Sequence, residues 1–116
     1  MKKQYRLLKN EDFKAVLDKH TGVSRENISI YHKKNELNHC RVGVSVSSKI
    51  GNSVVRHKIK RQIVDMIDKY LDINVSIDFV IIVRNKYIKY TYQENYDIVK
   101  KIIDNILKKE KKSNEK

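Results

Sequence analysis

The sequence predicts an α+β fold, a two-layer sandwich in which helices pack on a small mixed sheet in the order α-β-β-α-β-α. Three observations carry that expectation. Val55, Ile59, Ile63, Met66, Ile67 and Tyr70 recur at helical spacing and make one apolar stripe along a long helix. Residues 79–83 (Phe, Val, Ile, Ile, Val) are apolar without a break and rich in β-branched side chains, as a strand covered on both faces requires. Thr91 and Glu94 have capping-box spacing and introduce a helix whose Ile98, Val99, Ile102, Ile103, Ile106 and Leu107 turn inward.

The other elements follow in chain order. Asn10 can cap a short first helix in which Phe13, Val16 and Leu17 share a face. Ile28, Ser29, Ile30 and Tyr31 alternate apolar with polar, and residues 41–47 do so more strictly, with Val42, Val44 and Val46 on one side and small residues on the other. The polar segment 33–39 reads as a loop, so these two strands are expected to form an antiparallel pair. Gly51, Asn52 and Ser53 punctuate the chain before the long helix. With no Pro, no Gly/Ser-rich linker and no internal repeat, residues 1–110 read as a single domain, and 111–116 as a basic tail expected to be disordered.

Charge narrows the function. Twenty-six Lys and Arg against 14 Asp and Glu leave +12 on 116 residues, while a hydrophobic content of 40% suffices for a folded globule. Such a field concentrates phosphates, which points to nucleic acid or an anionic membrane. No run approaches the roughly 20 apolar residues of a bilayer span, and Met1, Lys2, Lys3 and Gln4 are not followed by a hydrophobic export segment, so a cytoplasmic protein without a membrane partner is expected.

Catalytic and metal chemistry find little support. Cys40 neighbours Val42, Val44 and Val46, where a small buried thiol is ordinary. His20, His32, His39 and His57 show no ligand spacing with it, and no metal site is expected. Asp65, Asp68 and Asp72 lie along a helix where they balance lysines and join no histidine in a dyad, so neither a catalytic residue nor a bound cofactor is expected of the protein itself.

The positive charge concentrates in residues 49–61. On a wheel advancing about 100° per residue, with Arg56 at zero, Lys60 falls at about 40° and Arg61 at about 140°, while Val55, Ile59 and Ile63 lie between about −100° and −20°. Arg56 and Lys60 therefore border the buried stripe, their stems packed and their heads free, which suits a groove. The helix N-terminus adds its own positive dipole end. Like charges at i and i+4 cost an isolated helix roughly 0.2–0.5 kcal/mol, a cost that a partner anion would remove.

Gly51, Ser53 with Val54, Arg56 with His57, and Lys60 with Arg61 resemble the signature of the bacterial ribonuclease P protein component, in which Gly, Ala-Val, Arg-Asn and Lys-Arg follow over one helical entry. Lys9 to Phe13, Arg25 before the strand ending in Tyr31, and residues 81–84 fall in that family's order, so the likeness spans nearly the whole chain. The resemblance implies a catalytic RNA subunit that removes the 5′ leader of precursor tRNA, with Mg2+ expected at the RNA active site. It assigns Lys49, Asn52, Arg56, His57, Lys58 and Arg61 to the RNA subunit, and Phe13, Leu17, Tyr31 and Lys60 to the leader. It also implies a left-handed βαβ crossover, against a rule obeyed in about 98% of such connections.

Three residues depart from the pattern. His57 replaces an asparagine, Val64 stands where arginine is common, and Leu17 where an aromatic is common, which leaves less stacking surface. A general RNA-binding module of the ribosomal kind explains the charge equally well but not the ordered matches. A DNA-reading helix-turn-helix lacks the preceding partner helix joined by a short turn.

Overall fold

A computed structural model describes residues 3–114, with side chains through residue 110. After a 3-10 turn at Lys3–Tyr5 the elements are α1 (Asn10–Asp18), β1 (Gly22–Ser24), β2 (Ile28–Lys34), β3 (Arg41–Val46), α2 (Ser53–Tyr70), β4 (Ile77–Val83), a second 3-10 turn at Asn85–Lys89, and α3 (Tyr92–Asn114). The sheet order is β1-β2-β4-β3. β1 with β2 and β2 with β4 are antiparallel, whereas β3 and β4 are parallel and joined through α2 in a βαβ unit.

β4 occupies the interior because its residues are apolar on both faces. Ile77, Phe79, Ile81 and Val83 face a core built with Ile28 and Ile30 of β2, Ile59, Ile63, Met66 and Ile67 of α2, and Val99, Ile102, Ile103 and Ile106 of α3. Val80 and Ile82 face the other way, against Leu7, Val16, Phe13 and Leu17. The sheet with α2 and α3 thus makes the two-layer sandwich, and α1 partly covers the opposite face.

Local signals set the helix starts. Asn52 accepts a hydrogen bond from the Val55 N–H at 3.1 Å and caps α2. Thr91 N–H donates to Glu94 Oε1 at 2.8 Å and Glu94 N–H to Thr91 Oγ1 at 3.1 Å, the reciprocal bonds expected of a capping box.

Several expectations need correction. The strands at 28–31 and 41–47 do not pair with each other; each pairs with β4, which inserts between them. Segment 33–39 is not all loop, since β2 continues through Lys34. The three-residue β1 is additional, too short to show a period and formed by pairing with β2. Asn10 does not cap α1 but begins it, after Lys9, which makes no side-chain capping bond. Val55 is 37% exposed and Tyr70 half-buried, because the apolar stripe of α2 is covered only from Ile59 to Ile67 and the first turn carries no buried residue. The tail expected at 111–116 falls on residues whose side chains, and for 115–116 the backbone too, lie outside those described.

Candidate nucleic-acid interface

The uncovered first turns of α2 stand beside the end of β3, and α1 lies across the adjoining sheet face. Between them opens a cleft of about 610 Å³. Phe13, Lys14 and Leu17 line it from α1, Val44, Ser45 and Val46 from β3, and Ser53, Arg56, His57 and Lys60 from α2, with Asn10 and Asp18 at the ends of α1. One wall is apolar and the other cationic. The first turn of α2 carries no acidic residue to offset its dipole, whereas that of α1 holds Glu11 and Asp12.

Arg56 lines this cleft, and its Nε is buried without a hydrogen-bond partner. A buried donor left unpaired is costly, and native structures contain few. An acceptor in the cleft would remove that cost.

The same helix borders two further grooves. One, of about 540 Å³, is lined by Val54, His57, Lys58, Arg61, Gln62, Asp65 and Tyr92. The other, of about 510 Å³, brings His57, Lys60, Arg61 and Val64 together with Arg6 from the N-terminal segment. Arg6 is held there by its bridge to Val42 and by the Leu7 N–H bond to the Val42 carbonyl at 3.0 Å. The start of α2 is a basic ridge with a concavity on each side.

The model of the family described as Ribonuclease P matches residues 1–107. The chain belongs to the ribonuclease P protein family. It is 37% identical over 109 residues to the ribonuclease P protein component of Macrococcus caseolyticus, covering 93% of this chain and 91% of the relative. It is 40% identical over 111 residues to that of Bacillus cereus, covering 94% and 93%. A solved structure of a Staphylococcus aureus RNase P protein mutant superposes with a TM-score of 0.80 at 30% identity, over 88% of this chain and 87% of the other. The RNase P protein from Thermotoga maritima, at 23% identity and a TM-score of 0.70, shares the fold.

For a ribonuclease P protein the placement of the expected residues is informative. Phe13, Leu17, Arg56, His57 and Lys60 share the cleft, and Lys58 and Arg61 line the grooves beyond the ridge. Lys49 lies in another groove, of about 470 Å³, with Arg84 and Lys86. Asn52 is the helix cap, so its side chain oxygen is engaged. Tyr31 does not line the cleft; it is half-buried on β2 and packs against the Leu7, Val16 and Val80 cluster, two strands from β3.

Lys14, Ser45 and Arg6 escaped the sequence reading. Lys14 was accessible to it, since Asn10, Phe13, Lys14 and Leu17 follow the i, i+3, i+4, i+7 pattern of one helix face. Arg6 carries no such signal, because only tertiary packing brings it beside Val64.

Elsewhere the chemistry is quiet. Cys40 is buried, and desolvation pushes its thiol up to about 11. Among the described residues no cluster of three or more His, Cys, Asp or Glu could hold a metal ion, and no helix is long and apolar enough to cross a membrane.

Proposed function

We propose that this chain is the protein subunit of a cytoplasmic ribonuclease P, holding the catalytic RNA subunit and the 5′ leader of precursor tRNA on opposite sides of α2. The observation that carries the reading is the partnerless buried Nε of Arg56 in a cleft that also presents Phe13 and Lys60. A leader strand supplies both complements. Arg56, which the family resemblance assigns to the RNA subunit, shares the cleft with Phe13 and Lys60 and is reassigned to the leader. The leader's phosphodiester oxygens accept from Arg56 and Lys60, and its unpaired bases stack on Phe13 at roughly 1–3 kcal/mol per base without sequence readout. Leu17 widens that apolar wall, and a leader running on across the sheet reaches Tyr31.

The RNA subunit takes the other side. Lys58, Arg61 and His57 meet it in the groove toward α3, with Lys49 and the α2 start at Asn52 extending the contact. Hydrolysis belongs to the RNA and its Mg2+ ions; the protein lowers the cost of bringing two polyanions together. Residues 1–110 act as one RNA-binding domain, and the basic segment 111–116 adds loose phosphate contact.

Reconstitution tests the reading. Cleavage of precursor tRNA at physiological magnesium should require an added RNA subunit, and cleavage by the purified protein alone would reject it. In the holoenzyme, Lys60→Ala should weaken affinity for leader-bearing substrate more than for mature tRNA, and reduce the slope of log affinity against log salt by about 1. Equal loss for both RNAs would indicate a general RNA binder.

A further inference from the structure

We infer that Arg41, Asp12 and Gly43 are positioning residues for the leader cleft: an Asp12–Arg41–Asp78 chain ties the start of α1, which packs over β2 and β4, to β3, and Gly43 clears the space in which the Phe13 ring rests. The inference rests on the reading of this cleft as the leader site.

Arg41 and Asp78 are register partners on the parallel strands β3 and β4. Arg41 Nε donates to Asp78 Oδ1 at 2.9 Å and Nη2 to Oδ2 at 2.7 Å, while Asn35 Nδ2 donates to Oδ1 at 2.7 Å. That two-pronged pairing locks the guanidinium plane. The remaining nitrogen, Nη1, reaches out of the sheet to Asp12 Oδ2 of α1 at 3.2 Å. The pairing with Asp78 holds the Arg41 charge strongly in place, raising its pKa above the ordinary value.

α1 needs such a tether. It has nine residues and no side-chain cap, and of its own residues only Val16 is buried, against Leu7 and Val80. A helix this short is marginal by itself, so its contacts with the sheet decide where it sits. Asp12 immediately precedes Phe13, and the ion pair therefore acts next to the aromatic ring it places.

Gly43 acts two residues further along the same strand face. A Cβ there would collide with the Phe13 ring and come within 3.2 Å of Leu7 Cβ. Ser45, the next residue on that face, already lines the cleft. One face of β3 thus pulls α1 down at 41, leaves room for its ring at 43 and opens into the site at 45. A carboxylate such as Asp12 beside a polyanion site is electrostatically adverse unless, as here, a cation engages it.

The test uses holoenzyme reconstituted with the RNA subunit and compares affinity for precursor tRNA with affinity for mature tRNA. Asp12→Asn spares the buried Arg41–Asp78 pair, and should cut the leader-dependent ratio by about 5-fold. Gly43→Ala should also lower the ratio, and Asp12→Glu should restore most of it. RNA-subunit affinity should stay unchanged and the unfolding midpoint of Asp12→Asn should fall only slightly, as for loss of a partly exposed ion pair, so unfolding does not account for the change in ratio. Removing a negative charge alone would strengthen both RNAs alike, leaving the ratio constant and overturning the inference. If Phe13→Ala collapses the ratio while Asp12→Asn does not, the positioning role fails and the leader cleft stands; if neither changes it, both fail.

Discussion

The two faces of the sheet differ in kind. Toward α2 and α3, β4 contributes Phe79, Ile81 and Val83 to a continuous apolar core in which Ile28, Ile30, Ile63, Met66 and Ile103 have almost no exposure. Toward α1, the same strand contributes Val80 and Ile82 to a thin cluster beside an open, cation-walled cleft. Burial supplies stability in proportion to apolar area, while an RNA site must stay open and keep like charges close together. Segregating the two tasks lets the molecule carry unpaired charge without weakening its core. α2 joins them: Ile59 to Ile67 anchor it in the core, and the uncovered turns ahead of them form the ridge.

The largest test of that division lies on the core face. Phe79→Ala should lower unfolding free energy by about 3–5 kcal/mol in a urea titration, because Phe79 is almost fully buried with neighbours on every side. Phe13→Ala should cost clearly less. If the two costs matched, the cleft face would be bearing stability as well as binding.

Arg56→Ala sharpens the contrast from the other side. Loss of a charged donor to phosphate should weaken RNA binding by about 10-fold or more in filter binding. Unfolding stability should not fall and should rise by about 1 kcal/mol, since the substitution removes a buried donor that the free protein leaves unpaired.

The smallest expected effect probes the far end of β2, where His32 is buried with Nδ1 3.5 Å from Glu110 Oε1. Desolvation lowers the His32 pKa below the ordinary 6.5, outweighing the opposite pull of Glu110, while Lys109 adds to the lowering and Lys34 pairs with the same carboxylate. Below 6.5 the unfolded chain therefore binds the proton more readily, and stability should fall with acidification until the folded-state pKa is passed, staying flat above 6.5. His32→Gln should flatten that slope in urea titrations across pH 5–8, while RNA binding at neutral pH stays unchanged.

The helices were legible because their signals are local. The Thr91–Glu94 box, the Asn52 cap and the stripe from Ile59 to Ile67 are all read within a few turns of chain, and so was the place of Arg56 and Lys60 at the stripe's edge. Asn10 misled because a capping residue type beside a helix start does not fix the boundary; the backbone placed Lys9 there.

The sequence by itself determined the three helices, the central parts of β2, β3 and β4, the buried stripe of α2 from Ile59 to Ile67, and that one helix start is strongly basic. Only the tertiary structure decided that β4 separates β2 from β3, that Arg41 grips Asp78 from 37 residues away, and that α1 faces the cations of α2 across a cleft. Periodicity tells that a face will be covered, but strand order and register arise from contacts between distant residues, whose partners leave no mark in the local pattern.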